Sequence, residues 1–95
     1  MLSDLAKDIA KEALKEQTLS QLALIIQRDW KNVSPYARPY LDAMLYLESI
    51  SDKYGADSGD SVVSYFLSNA RSYTGETAKL VKAELNRRVK NSYRS

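Results

Sequence analysis

An all-α fold, a compact and mostly antiparallel bundle of four to five helices, is what this sequence predicts, on three observations. Apolar residues recur at spacings of three and four along nearly the whole chain, the repeat of a helix face. No stretch alternates apolar and polar residues for long enough to argue a strand. Only three glycines and two prolines interrupt the 95 residues, so long irregular loops are not expected. Hydrophobic residues at 44% and charged residues at 27% belong to a globular chain rather than a disordered one. The length suits a single helical domain, residues 1–95.

The first helix is expected from Asp4 to Glu16, with Ser3 as N-cap. Leu2, Leu5, Ala6, Ile9 and Ala13 form its apolar stripe, and Asp4–Lys7, Asp8–Lys11 and Glu12–Lys15 are i,i+3 charge pairs. The stripe is narrow and alanine-rich, so residues 1–17 read as a loosely packed element. Glu16-Gln17-Thr18 holds no helix breaker, which leaves open whether the first two helices are continuous. The second helix spans Leu19 to Lys31; Thr18 and Gln21 have the form of a capping box. Its buried face is Leu19, Leu22, Ala23, Ile26 and Trp30.

Ser34-Pro35 opens the third helix, Pro39 falls near its first turn, and Gly55 ends it after Tyr54. Apolar groups surround this segment on most sides, which places it at the centre of the bundle. Asp57 or Asp60 caps the fourth helix, which runs to Tyr73 with Ser61, Ser64, Ser68 and Ser72 on its outer side. Thr74 caps a fifth helix from Gly75 or Glu76 to Asn91, with Ala78, Val81, Leu85 and Val89 inward and residues 92–95 as a frayed tail. Met44, Leu47, Phe66, Ala70, Val81 and Leu85 are the expected core.

The absence of cysteine and histidine removes disulfides, thiolate nucleophiles, zinc fingers and histidine-based triads. No Ser-x-x-Lys spacing and no glycine-rich phosphate loop occurs. Asp57 and Asp60 lack the alternating oxygen ligands of a calcium loop. No catalytic, cofactor-binding or metal-binding residue is therefore expected, and the chain reads as a non-enzyme. The longest apolar run, Leu22–Ile26, is far short of a membrane span or a signal-peptide core. Met1-Leu2 lacks the glycine that myristoylation needs. A cytosolic setting away from membranes is the expectation.

Charge is polarised along the chain. Residues 1–31 hold five charges of each sign; residues 32–78 hold three basic and six acidic groups; residues 79–95 hold six basic groups and one acidic. Lys79, Lys82, Arg87 and Lys90 share one arc of the last helix, the footprint expected of a nucleic-acid or partner contact. The fourth and fifth helices also have the outline of a helix-turn-helix. Two features oppose that reading: Glu76 occupies the N-terminal turn where base contacts concentrate, and late basic residues stabilise a helix dipole without any ligand. Seven tyrosines against one phenylalanine is an excess suited to rims and interfaces. Tyr36, Tyr46 and Tyr65 lie off the main apolar arcs and form the candidate partner surface. Glu48 falls among apolar positions and is expected to be half-buried against Arg28, Arg38, Arg71 or Arg88.

Pro39-Tyr40-Leu41-Asp42-Ala43-Met44, Tyr65-Phe66-Leu67-Ser68-Asn69-Ala70 and Gly75-Glu76-Thr77-Ala78-Lys79, within the stretch from Trp30 through Arg88, resemble small uncharacterised proteins encoded by phages and prophages of Gram-positive bacteria. The resemblance implies a phage or prophage origin and the cytosol of the host cell, and it supplies no functional residues. The function expected is a non-enzymatic interaction protein that binds a host or phage protein. The alternative is a small nucleic-acid-binding protein using the basic last helix. A homo-oligomer formed through the first helix is a third expectation.

Overall fold

Ser3 and Thr18 act as the sequence leads one to expect, and with them the first two helices separate. The computed structural model describes residues 3–94; Leu2, placed in the first apolar stripe, and Ser95, in the expected tail, lie outside them. Helix α1 spans Asp4–Lys15, with the Ser3 side chain accepting from the Ala6 amide at 3.2 Å. Helix α2 spans Leu19–Asp29 and opens on a closed capping box: the Gln21 amide donates to Thr18 Oγ1 at 3.1 Å, and the Thr18 amide donates to Gln21 Oε1 at 2.8 Å. That reciprocal pair satisfies two orphan donors and ends the continuity between α1 and α2.

The third segment departs from expectation. Helix α3 is only Arg38–Met44, two turns long, with Pro39 in its first turn. The chain then turns and makes a small antiparallel hairpin, β1 (Lys53–Tyr54) with β2 (Asp57–Ser58), in the register Lys53 opposite Ser58 and Tyr54 opposite Asp57. Four competing bonds stop the helix. The first amides of α2 have no partner in their own helix, and Leu19 and Ser20 donate theirs to the carbonyls of Glu48 and Leu47, at 2.9 and 2.8 Å. Asp52 accepts the Glu48 and Ser49 amides at 3.0 and 3.1 Å, closing a turn where a helix to Tyr54 was expected. Gly55 does adopt a left-handed φ of 62°, but in the hairpin turn rather than as a helix C-cap.

Helix α4 spans Gly59–Ser68, capped by Ser58 rather than by Asp57 or Asp60, and ends five residues before the expected Tyr73. Gly59 is required there by space, because a Cβ would lie 2.7 Å from the Ile50 carbonyl oxygen and 2.9 Å from that of Ser49. Helix α5 spans Glu76–Arg94, longer than expected at its C-terminal end. It packs against α1, α2 and α4, whereas α3 packs on α2 and α4. The central element is therefore α5 and not the third helix.

Among the described residues five helices thus surround one core, with a Cα radius of gyration of 12.8 Å. Met44, Leu47, Phe66, Ala70, Val81 and Leu85 are all buried, as expected. Trp30 joins the layers: its ring stacks on Tyr73 at 5.1 Å and meets Phe66 edge-on at 6.3 Å. Helix α1 buries no residue fully. Among the described residues, no helix is long and apolar enough to cross a membrane.

Candidate interaction surfaces

The three tyrosines singled out by sequence lie on the surface: Tyr36 is 76% exposed, Tyr46 78% and Tyr65 56%. Two of them are held by neighbouring rings. Tyr65, on α4, stacks on Tyr40 of α3 with centroids 5.4 Å apart and planes 28° apart. Tyr46, in the turn after α3, tilts against Tyr54 of β1 at 5.9 Å. The fold therefore brings the tyrosines together in pairs whose second members the sequence reading did not choose. Tyr36 pairs with no ring among the described residues, although its amide is fixed by Ser34 Oγ at 3.2 Å. A ring restrained by a second ring has less motion to lose when a partner covers it.

The basic arc of α5 is less available than its spacing suggests. Lys79 and Lys90 are exposed, but Lys82 folds back over the Tyr73 ring, its Nζ 5.5 Å from the centroid and donating to the Tyr73 carbonyl. Burial lowers its pKa. Arg87 forks onto Glu84, Nε to Oε1 at 2.9 Å and Nη2 to Oε2 at 2.7 Å. The bond to Glu84 raises its pKa further. The expectation that Lys82 joins Lys79, Arg87 and Lys90 in one contact arc is thus corrected, since Tyr73 carries a carbonyl with no helical partner where α4 has already ended.

Glu84, and not Glu48, is the buried carboxylate. Glu48 is exposed, because the helix that would have carried it inward stops at Met44. Glu84 is buried and holds both Arg87 and Arg88, the latter with Nε to Oε2 at 2.6 Å. Arg88 then reaches across to α1, its Nη2 donating to the carbonyls of Leu14 at 2.9 Å and Gln17 at 2.7 Å. One guanidinium thereby ties down the end of α1, adding a donor to the Leu14 carbonyl, which also accepts from the Gln17 amide, and to the Gln17 carbonyl beyond it. The spacing of Glu84 with arginines three and four residues later was the available signal.

A helix-turn-helix reading of α4 and α5 meets a geometric obstacle. Seven residues, 69–75, separate the helices, against the three- or four-residue turn of that motif. Ala70 and Tyr73 of this connection are buried in the core. The Tyr73 hydroxyl has no hydrogen-bond partner among the described residues; burial, together with the nearby Asp29 carboxylate, pushes its pKa up. The serine side of α4 is partly spent on its own backbone, Ser68 Oγ donating to the Ser64 carbonyl at 3.0 Å. Comparison of the chain with protein-family models, curated proteins and solved structures found no match.

Proposed function

We propose that this protein is a non-enzymatic interaction protein of phage or prophage type, acting in the host cytosol by binding a host or phage protein through its tyrosine-lined surface. The observation that carries the reading is the Tyr40–Tyr65 stack, in which the exposed Tyr65 ring of α4 is held on the partly buried Tyr40 ring of α3. Tyrosine rings held in this way offer apolar area and a hydroxyl at small entropic cost, the chemistry of interface anchors. The segments Pro39–Met44 and Tyr65–Ala70, which carry the phage-protein resemblance, contain both rings of the pair.

Nucleic-acid binding by α5 is the weaker alternative. Two of its four candidate cations, Lys82 and Arg87, already have partners within the chain, and phosphate contacts would have to displace them. Affinity capture from a nuclease-treated Gram-positive lysate, with Tyr65→Ala and Tyr46→Ser chains beside the wild type, tests the proposal. The expected result is a protein retained by the wild type and lost by Tyr65→Ala, with both variants keeping the wild-type circular dichroism. Capture that vanishes on nuclease treatment, or that both variants retain in full, overturns it.

A further inference from the structure

We propose that the groove between α1 and α5 binds a small phosphorylated molecule by its terminal phosphoryl group, at a site separate from the tyrosine surface. Three lysines from two helices line one cavity of about 260 Å³ there, Lys7 and Lys11 from α1 and Lys79 from α5. Leu80 and Ala83 complete its wall, and Glu76 is the one acid that lines it. The sequence alone places Lys79 in an arc of its own helix; the fold gives it two lysines from the other end of the chain.

The two ends of this groove are built differently. Helices α1 and α5 run parallel, because Lys7 and Lys11 meet the first turns of α5 while Arg88 ties down the end of α1. Past Lys11 the groove continues to Lys15 and Arg87. There each cation has its acid, Lys15 on Glu12 at 3.1 Å and Arg87 on Glu84 at 2.7 Å. At the near end none does: Lys7, Lys11 and Lys79 form no ion pair among the described residues. Only Lys15 and Lys82 spend their ammonium groups on hydrogen bonds there. The parallel run also brings the positive ends of both helix dipoles to the near end, offset in part by Asp4 and Glu76 in the first turns.

Charge decides the class of occupant. Three ammonium groups against one carboxylate leave a net charge of +2 on the cavity wall. A carboxylate or a phosphodiester brings a single negative charge and neutralises half of it. A terminal phosphoryl group brings about −1.5 to −2 at pH 7, with three outer oxygens to share among three ammonium donors. Lysine binds phosphate as a point charge, without the planar fork that arginine offers a carboxylate. The cavity is smaller than the roughly 300–1,000 Å³ of drug-sized pockets, so the body of the ligand is small, and Leu80 and Ala83 give it an apolar wall.

Titration of the ¹⁵N-labelled full chain with methyl phosphate and with dimethyl phosphate, at constant ionic strength, tests this by amide chemical shifts. Methyl phosphate, a dianion, is expected to give saturable shifts confined to Lys7, Lys11 and residues 76–83. Its dissociation constant should be on the order of 1–10 mM, as suits a few hydrated charge contacts. Dimethyl phosphate, a monoanion, should give none. Lys7→Gln and Lys79→Gln should each weaken methyl phosphate about three- to tenfold, and Glu76→Gln should strengthen it by a similar factor. Lys31→Gln and Tyr65→Ala should leave it unchanged, and every variant should keep the wild-type circular dichroism. Shifts that never saturate or that spread over all the surface lysines overturn the proposal. So does equal binding of the two probes, or a Lys79→Gln chain that binds as the wild type does.

Discussion

Burying Glu84 removes a carboxylate from water, and the two arginines beside it decide whether that stabilises or harms the fold. Burial alone pushes its pKa up, but the hydrogen bonds and charges of Arg87 and Arg88 outweigh it and hold the carboxyl below the ordinary value of 4.5. A folded pKa below the unfolded one gives stability that is complete above about pH 4.5 and lost as the pH falls through the folded value. Thermal melts across this window should show that acid limb in the wild type and a flatter one in Glu84→Gln. Glu84→Ala should cost about 3 kcal/mol, because Arg88 is left little exposed without its carboxylate. Arg87→Ala should cost well under 1 kcal/mol, its side chain being half in water. Gly59 is constrained by volume instead of charge. Gly59→Ala drives a methyl into the Ile50 and Ser49 carbonyls and should cost about 1–3 kcal/mol by urea unfolding; a neutral result would mean that the 49–50 backbone yields freely.

At the scale of elements, the packing of the 45–52 turn matters as much as that of the helices. Leu47 is buried although it belongs to no helix. Leu47→Ala and Phe66→Ala should each lose about 2–5 kcal/mol in urea unfolding, and losses below about 1 kcal/mol at both would contradict the core described here. The caps of α1 and α2 were legible in sequence because Ser3 and Thr18 act on amides three residues away, whereas α4 takes Ser58 in place of Asp57 or Asp60. The early end of α3 was not, because the amides that take its would-be carbonyls belong to Leu19 and Ser20, almost thirty residues upstream. A local signal did exist in Ser49, Ser51 and Asp52, turn formers that the apolar pattern of the segment overrode. The exposure of Tyr36, Tyr46 and Tyr65 was likewise legible from their places off the apolar arcs. Their pairing with Tyr54 and Tyr40 required tertiary structure, as did the recruitment of Lys82 by the Tyr73 carbonyl.

For the molecule as a whole, charge is less concentrated than the sequence suggests. The last stretch of chain holds most of the excess positive charge, yet Arg87 and Arg88 share one buried carboxylate and Lys82 is bound to backbone. Duplex DNA should accordingly bind weakly and without sequence preference at about 150 mM salt. Substituting the exposed pair Lys79 and Lys90 should change the slope of log K against log salt by less than the roughly 1.8 units of two full phosphate contacts. Fluorescence anisotropy over a salt series reads this directly. Submicromolar binding of a defined duplex, abolished by those two substitutions, would restore the nucleic-acid reading.

The bridge from Arg88 to the end of α1 also bears on how fast the protein comes apart. Its bonds to Leu14 and Gln17 join positions 74 and 71 residues apart in a chain of 95, so the loop they close is most of the polypeptide. Closing so long a loop carries an entropic cost that must be met before the contact rewards it. Packing α2 on α5 already closes most of that loop, so once the core of α2, α4 and α5 has assembled the bridge needs only the docking of α1, which places it after the rate-limiting barrier to folding. Arg88→Ala should then leave the refolding limb of a stopped-flow chevron almost unmoved and steepen the loss of the native state, since interactions formed late govern the unfolding rate. A slowed refolding limb would instead place α1 in the folding nucleus.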